Sequence, residues 1–208
     1  MKLTILFWAF LLIPSLVFGQ DISNRIGVLT INENLYTKEN GLIQLLNDDG
    51  TTWYEFTLYY DDSDGQWDYV NKKLNILAFH PDYFLFEIEC TNETEEYYEV
   101  VVNEATQLSK RIVKSPEFKL LTWEQYVLNV FAIDFDRDEY PIFHQKNGIP
   151  VSNIPDQNLI LRPVIIEGDW MKIQWSDVFQ PTKPEHVHDG WIKWRESNRI
   201  MIELYHIN

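Results

Sequence analysis

Near its C-terminal end the chain twice sets a tryptophan two places ahead of a lysine, in Trp170-Met171-Lys172-Ile173-Gln174-Trp175 and in Trp191-Ile192-Lys193-Trp194-Arg195. Alternate residues of an extended chain share a face, so Trp170, Lys172 and Gln174 stand together, as do Trp191, Lys193 and Arg195. Met171, Ile173, Trp175, Ile192 and Trp194 make the opposite, apolar face that a core would take. Indole rings beside ammonium and guanidinium groups can stack on a sugar or peptide plane while the cations hold a carboxylate. Trp170, Lys172, Trp191, Lys193 and Arg195 are therefore the candidate ligand-binding residues.

Catalytic chemistry is harder to assemble. His186-Val187-His188-Asp189 sets two imidazoles on one side of an extended segment, a zinc pair if a third ligand such as His206 came near, but no spacing enforces it. A metal-dependent hydrolase using His186, His188 and nearby carboxylates is the alternative this leaves open. Asp61-Asp62-Ser63-Asp64-Gly65 approaches a calcium loop and fails it, with Tyr60 where the first acidic ligand belongs and Asn71 where the closing Glu belongs. Asp134-Phe135-Asp136-Arg137-Asp138-Glu139 alternates carboxylates and reads as a solvated acidic linker. There is no Gly-x-Ser-x-Gly elbow, no His-Glu-x-x-His helix and no phosphate-cradling glycine loop. The expectation is a protein that is not an enzyme, with no cofactor and no metal. A purely structural envelope component is the third reading.

The elements that would carry these residues are strands. Arg25 to Ile31, Trp53 to Tyr60, Leu74 to Phe79, Tyr83 to Glu89 and Tyr97 to Val102 are short, rich in β-branched and aromatic residues, and separated by Asp/Asn/Gly/Pro clusters. Tyr140 to Phe143, Leu159 to Ile166, Trp170 to Trp175, Trp191 to Arg195 and Ile200 to His206 continue the pattern. One helix is expected between the two groups. Ser115-Pro116-Glu117 is its start signal, Thr122-Trp123-Glu124-Gln125 an alternative capping box, and Leu120, Leu121, Trp123, Tyr126, Val127 and Val130 its apolar stripe.

Composition narrows the partners. The chain holds 8 basic against 22 acidic residues from Gln20 to Asp136, and 8 against 10 from Arg137 to Asn208, so the larger part repels phosphate and nucleic acid is not expected. Lys2, the apolar run Leu3 to Val17 and the small residues before Gln20 read as a signal peptide over residues 1–19, with an uncleaved anchor as the alternative, hence a secreted or periplasmic protein with no stable membrane insertion after cleavage. With Cys90 alone, an exported chain cannot cross-link itself and must rely on burial of its aromatic and aliphatic residues. Cys90 itself sits in a strand-like run and reads as a buried thiol.

The chain also echoes itself. Leu35-Tyr36-Thr37-Lys38-Glu39-Asn40-Gly41-Leu42 matches Ile142-Phe143-His144-Gln145-Lys146-Asn147-Gly148-Ile149 in pattern, and each Asn-Gly suits a type I′ hairpin turn. Pro81 to Phe86 then answers Gly168 to Ile173, and Glu96 to Val101 answers Asp189 to Trp194, in the same order. This is the mark of a duplicated β unit, with extra residues in Asn47 to Lys73 and Phe179 to Asp189.

The second unit's landmarks, Gly168-Asp169-Trp170-Met171-Lys172-Ile173 followed by Asp189-Gly190-Trp191-Ile192-Lys193-Trp194, resemble the last strands of bacterial SH3-like domains. The common Leu-Asn-Val-Arg-x-Gly-Pro signature of that family is absent. The resemblance implies a mainly β protein of two small SH3-like β-barrel units joined by a short helix, with unit 20–113, helical linker 114–138 and unit 139–208. It also implies a binding role toward a cell-wall peptide, a glycan or an envelope protein.

Overall fold

A computed structural model describes residues 13–15, 19–32, 35, 42–57, 73–80, 85–152, 155–156, 159–178 and 186–206. Most of the leader, positions 36–41 of the first Asn-Gly hairpin and the calcium-like stretch 61–65 lie outside the described residues. The protein is mainly β, with one short helix, as its strand signals predict. It divides into two compact bodies, one of Gln20–Leu128 with Ser197–Ile200, the other of Met1–Gly19, Asn129–Glu196 and Met201–Asn208.

In chain order the strands are β1 (Ile13–Ser15), β2 (Gly27–Ile31), β3 (Leu42–Leu46), β4 (Thr52–Thr57), β5 (Ala78–His80), β6 (Leu85–Glu93), β7 (Tyr97–Asn103), β8 (Leu108–Val113) and β9 (Phe118–Leu121). After the helix α1 (Trp123–Leu128) come β10 (Ala132–Asp134), β11 (Arg162–Glu167), β12 (Trp170–Ser176), β13 (Val187–Lys193), β14 (Arg195–Glu196), β15 (Arg199–Ile200) and β16 (Glu203–His206).

The first body is built on an antiparallel sheet in the order β4-β3-β8-β7-β6-β2-β9, with β5 also pairing β6. Among the described residues no pairing joins β4 to β9, and no closed barrel is formed. Phe86, Ile88 and Cys90 of β6 face a core shared with Leu29, Ile43, Leu45, Val100 and Ile112. The thiol is buried and free, and burial pushes it up to about 12, which keeps it protonated and inert. Alternation puts Glu87 and Glu89 on the other face, and that face is covered too, so both carboxylates are buried.

The expected helix start is a strand. Ser115-Pro116-Glu117 opens no helix; Phe118–Leu121 pairs with β2 in antiparallel register, Leu120 opposite Leu29 and Leu121 opposite Val28. Phe118 and Leu120 alternate toward the core, and period 2 wins over the helical reading of the same apolar residues. The helix begins at the alternative box, where Gln125 N donates to Thr122 Oγ1 at 3.2 Å and Thr122 N donates to Gln125 Oε1 at 3.0 Å. It closes the first body by packing on β2 and β9.

The second body holds two three-stranded sheets, β1-β16-β10 and β11-β12-β13, and the described residues form no closed barrel there either. Ile13–Ser15, within the expected leader, pairs with Leu204 to His206 of β16. The acidic stretch 134–139 is not a plain solvated linker. Arg137 is buried at its centre, donating from Nη1 to the carbonyls of Pro155 at 2.9 Å and of Asp156, and from Nη2 to Asp134 Oδ1 at 3.0 Å and to the Leu159 carbonyl at 3.3 Å. One guanidinium thus organises a loop that has few ladder bonds of its own.

Candidate functional site: the aromatic face of the second body

The three strands β11, β12 and β13 form an antiparallel meander whose register decides which side chains meet. Trp170 stands opposite Lys193 and Glu167, Lys172 opposite Trp191 and Ile165, and Gln174 opposite Asp189 and Arg162. Directly opposed residues share a face, so the two Trp-x-Lys motifs are brought together as diagonal pairs. Met171, Ile173, Trp175 and Ile192 are buried on the other side, as alternation predicts. Trp170 and Trp191 are half-buried, neither core residues nor fully open.

A fourth segment completes the face. Phe143 and Trp191 exchange both backbone hydrogen bonds at 2.8 Å, so residue 143 extends the sheet beyond β13. The Phe143 ring then meets Trp170 edge-on, with centroids 5.5 Å apart and planes at 79°. Gly190 makes room for this, since a Cβ there would overlap Ile142 Cγ2 and press on the Phe143 carbonyl. Phe143 was legible only as part of a repeated hairpin. Its place beside two tryptophans depends on a pairing distant in sequence, which no local pattern announces.

That hairpin is also looser than a type I′ turn. Phe143 pairs with Pro150 across six residues, and Asn147 takes φ 58° while Gly148 is not in the left-handed region. A type I′ turn needs positive φ at both central residues. The extra residues let Lys146 reach back, placing Nζ 5.1 Å from the centroid of the Trp191 ring and in an ion pair with Glu167.

The electrostatics differ from the expected cationic clamp. Lys172 Nζ lies 3.3 Å from Asp189 Oδ1, and Lys193 Nζ lies 3.7 Å from Glu196 Oε1. Arg195 lies past the end of β13, in β14, where its Nε donates to Asp169 Oδ1 at 3.1 Å and its guanidinium lies against the Trp194 ring. It therefore has no register partner on β12. Lys146, Lys172, Lys193 and Arg195 each have a carboxylate beside them, whereas the exposed Arg162 guanidinium, opposite Gln174, lies against the Phe131 ring. Exposed ion pairs of this kind contribute little to stability, ~0 to 1 kcal/mol.

No protein-family model, curated protein or solved structure matches this chain.

The face offers three aromatic rings and a rim of paired lysines with Gln174 and Asp189, a combination of ring faces and polar donors and acceptors.

His186 and His188 do come together, on one carboxylate. His186 Nδ1 is 3.4 Å from Asp177 Oδ1 and His188 Nε2 is 3.7 Å from Asp177 Oδ2. Among the described residues no group of three His, Cys, Asp or Glu side chains is arranged to hold a metal ion. His206 sits on β16, in the other sheet of the body. Asp177 was not singled out by the His-x-His-Asp spacing, because it approaches from the β12 side of the connection.

Proposed function

We propose that this protein is an exported, non-enzymatic binding module whose second body takes a neutral glycan on the face of Phe143, Trp170 and Trp191. The observation that carries this reading is that both tryptophans stay partly open on one sheet face while Lys172, Lys193 and Arg195 beside them are already paired with acids. A wall peptide held by its carboxylate beside these two rings would have to displace one of those acids. A sugar ring needs a flat apolar surface and polar groups at its edge, and the carboxylates of ion pairs can accept its hydroxyls.

The SH3-like reading of the second body belongs to the same proposal. It rests on Gly168-Asp169-Trp170 and Asp189-Gly190-Trp191 opening or lying within adjacent antiparallel strands, and on the parallel between the β5-β6-β7 and β11-β12-β13 meanders. Export rests on residues 1–19. Removing that leader would take β1 from the β16 edge and leave β16 paired with β10. Mass spectrometry of protein recovered from outside the cytoplasm should find Gln20 at the start; retention of Met1 there would refute cleavage.

Retention on immobilised glycan strands tests the function. Trp170→Ala and Trp191→Ala should each lower retention at least tenfold with an unchanged circular dichroism spectrum. Unfolding of both would place the rings in the core, and full retention would remove the site.

A further inference from the structure

The register of β11, β12 and β13 lays the outer face of this sheet out in three rows. Glu167, Trp170 and Lys193 form the first, Ile165, Lys172 and Trp191 the second, and Arg162, Gln174 and Asp189 the third. Neighbouring rows lie two residues apart along a strand, ~7 Å, so substituents of a sugar stacked on Trp191 come within reach of the third row.

A bulge puts the third row together. Arg162 and Ile165 are three residues apart, an odd spacing that in a regular strand sends side chains to opposite faces. The register shift between Pro163 and Ile165 supplies the extra residue that returns Arg162 to the outer face, opposite Gln174. Without it Pro163 would stand opposite Gln174 and Arg162 would turn inward.

The chemistry of this corner is uncommitted. The Arg162 guanidinium lies 5.1 Å from the centroid of the Phe131 ring and has no carboxylate partner among the described residues. A guanidinium stacked this way keeps its N–H groups in its own plane, available as donors. Gln174 is exposed and its amide makes no hydrogen bond among the described residues. Ile165, 43 % exposed, adds an apolar surface in the adjoining row. A free carboxylate placed here would face Asp189, and a free ammonium would face Arg162, so the corner favours a neutral group. A hydroxyl makes no use of Ile165. An acetamido group has a carbonyl for the donors and a methyl for the isoleucine.

We propose that the face selects glycans of N-acetylated amino sugars over glycans bearing plain hydroxyls, the acetamido carbonyl accepting from Arg162 and Gln174 while its methyl rests on Ile165. This depends on the three aromatic rings holding a glycan in the first place.

Titration calorimetry on the purified protein tests it with hexa-N-acetylchitohexaose and cellohexaose, neutral oligomers that differ by an acetamido against a hydroxyl on each ring. The acetylated oligomer should bind at least tenfold more tightly, a margin that a buried methyl and a satisfied polar group together can supply. That ratio should fall below threefold in Arg162→Gln and in Ile165→Ser. In the unaltered protein, the Gln174 side-chain amide and Ile165 methyl NMR signals should shift with the acetylated oligomer and stay in place with cellohexaose. Equal binding of the two oligomers overturns the selectivity and leaves the glycan platform standing, whereas binding of neither overturns both. A ratio that survives both substitutions, or Gln174 and Ile165 signals that do not move, removes the acetamido contact from this corner.

Discussion

Phe143 and Trp191 bind each other through both of their backbone amides and carbonyls, and this reciprocal pair joins the Asn-Gly hairpin segment to the strand that carries the candidate site. The aromatic face therefore depends on the glycine next to Trp191. Gly190→Ala would drive a methyl into Ile142, a residue buried in the body. The expected result is a loss of ~1 to 3 kcal/mol in urea unfolding, with a shift in tryptophan emission and weaker glycan retention. An unchanged emission spectrum and retention would show that Phe143 is not held by this packing.

The paired lysines predict indifference to charge. Lys172→Gln and Lys193→Gln should each change glycan retention less than threefold, and retention should hold as salt rises from about 0.05 to 0.5 M, since exposed ion pairs are screened over that range. A steep loss with salt would point to an anionic ligand instead.

Beneath α1, Tyr126 donates its hydroxyl to Glu87 Oε2 at 2.5 Å. Burial raises the Glu87 carboxyl to about 7 and the tyrosine bond only partly opposes it. A folded value above the unfolded 4.5 means that protons favour the native state. The Glu87 contribution is fully present below pH about 4.5 and is lost as pH climbs through about 7, a change on the order of 3 kcal/mol at most. Glu89 and Glu104 are shifted in the same direction, chiefly by burial. Thermal unfolding should show greater stability at pH 5 than at pH 8, and Glu87→Gln should flatten that slope and raise the midpoint at pH 8. A midpoint that rises steadily from pH 5 to 8 would contradict the assignment.

Arg137 predicts the opposite kind of failure. Arg137→Met fills the same space but abandons the Pro155, Asp156 and Leu159 carbonyls and the Asp134 carboxylate. The cost should be roughly 2 to 4 kcal/mol, read as a lower urea midpoint with accelerated amide exchange in residues 155–161. A variant as stable as the parent would mean that solvent satisfies those groups.

Much of the strand pattern was legible because alternation is local. Trp170–Ser176 matches the expected Trp170 to Trp175 within a residue, and the buried side of β12 is the apolar one. Residues 118–121 form a strand where a helix was expected because Leu120, Leu121 and Trp123 fit a helical stripe as well as a strand, and only pairing with β2 separates the two. Arg137 looked like one more charge in an acidic run, since its carbonyl partners lie on a loop that the local sequence does not reveal.

The chain's own residues sufficed to determine a mainly β protein, the inward and outward faces of β12 and β13, and a lone buried thiol, because side-chain period and residue size act over a few positions. Tertiary structure alone decided the order β4-β3-β8-β7-β6-β2-β9 of the first sheet, that Phe143 joins the two tryptophans, that Lys172, Lys193 and Arg195 pair with Asp189, Glu196 and Asp169, and that Gln20, Arg25, Glu89 and Glu104 meet around a cavity. Each of these depends on which distant strands pair and in what register, a choice made by the collective burial of the core that no short stretch of sequence contains.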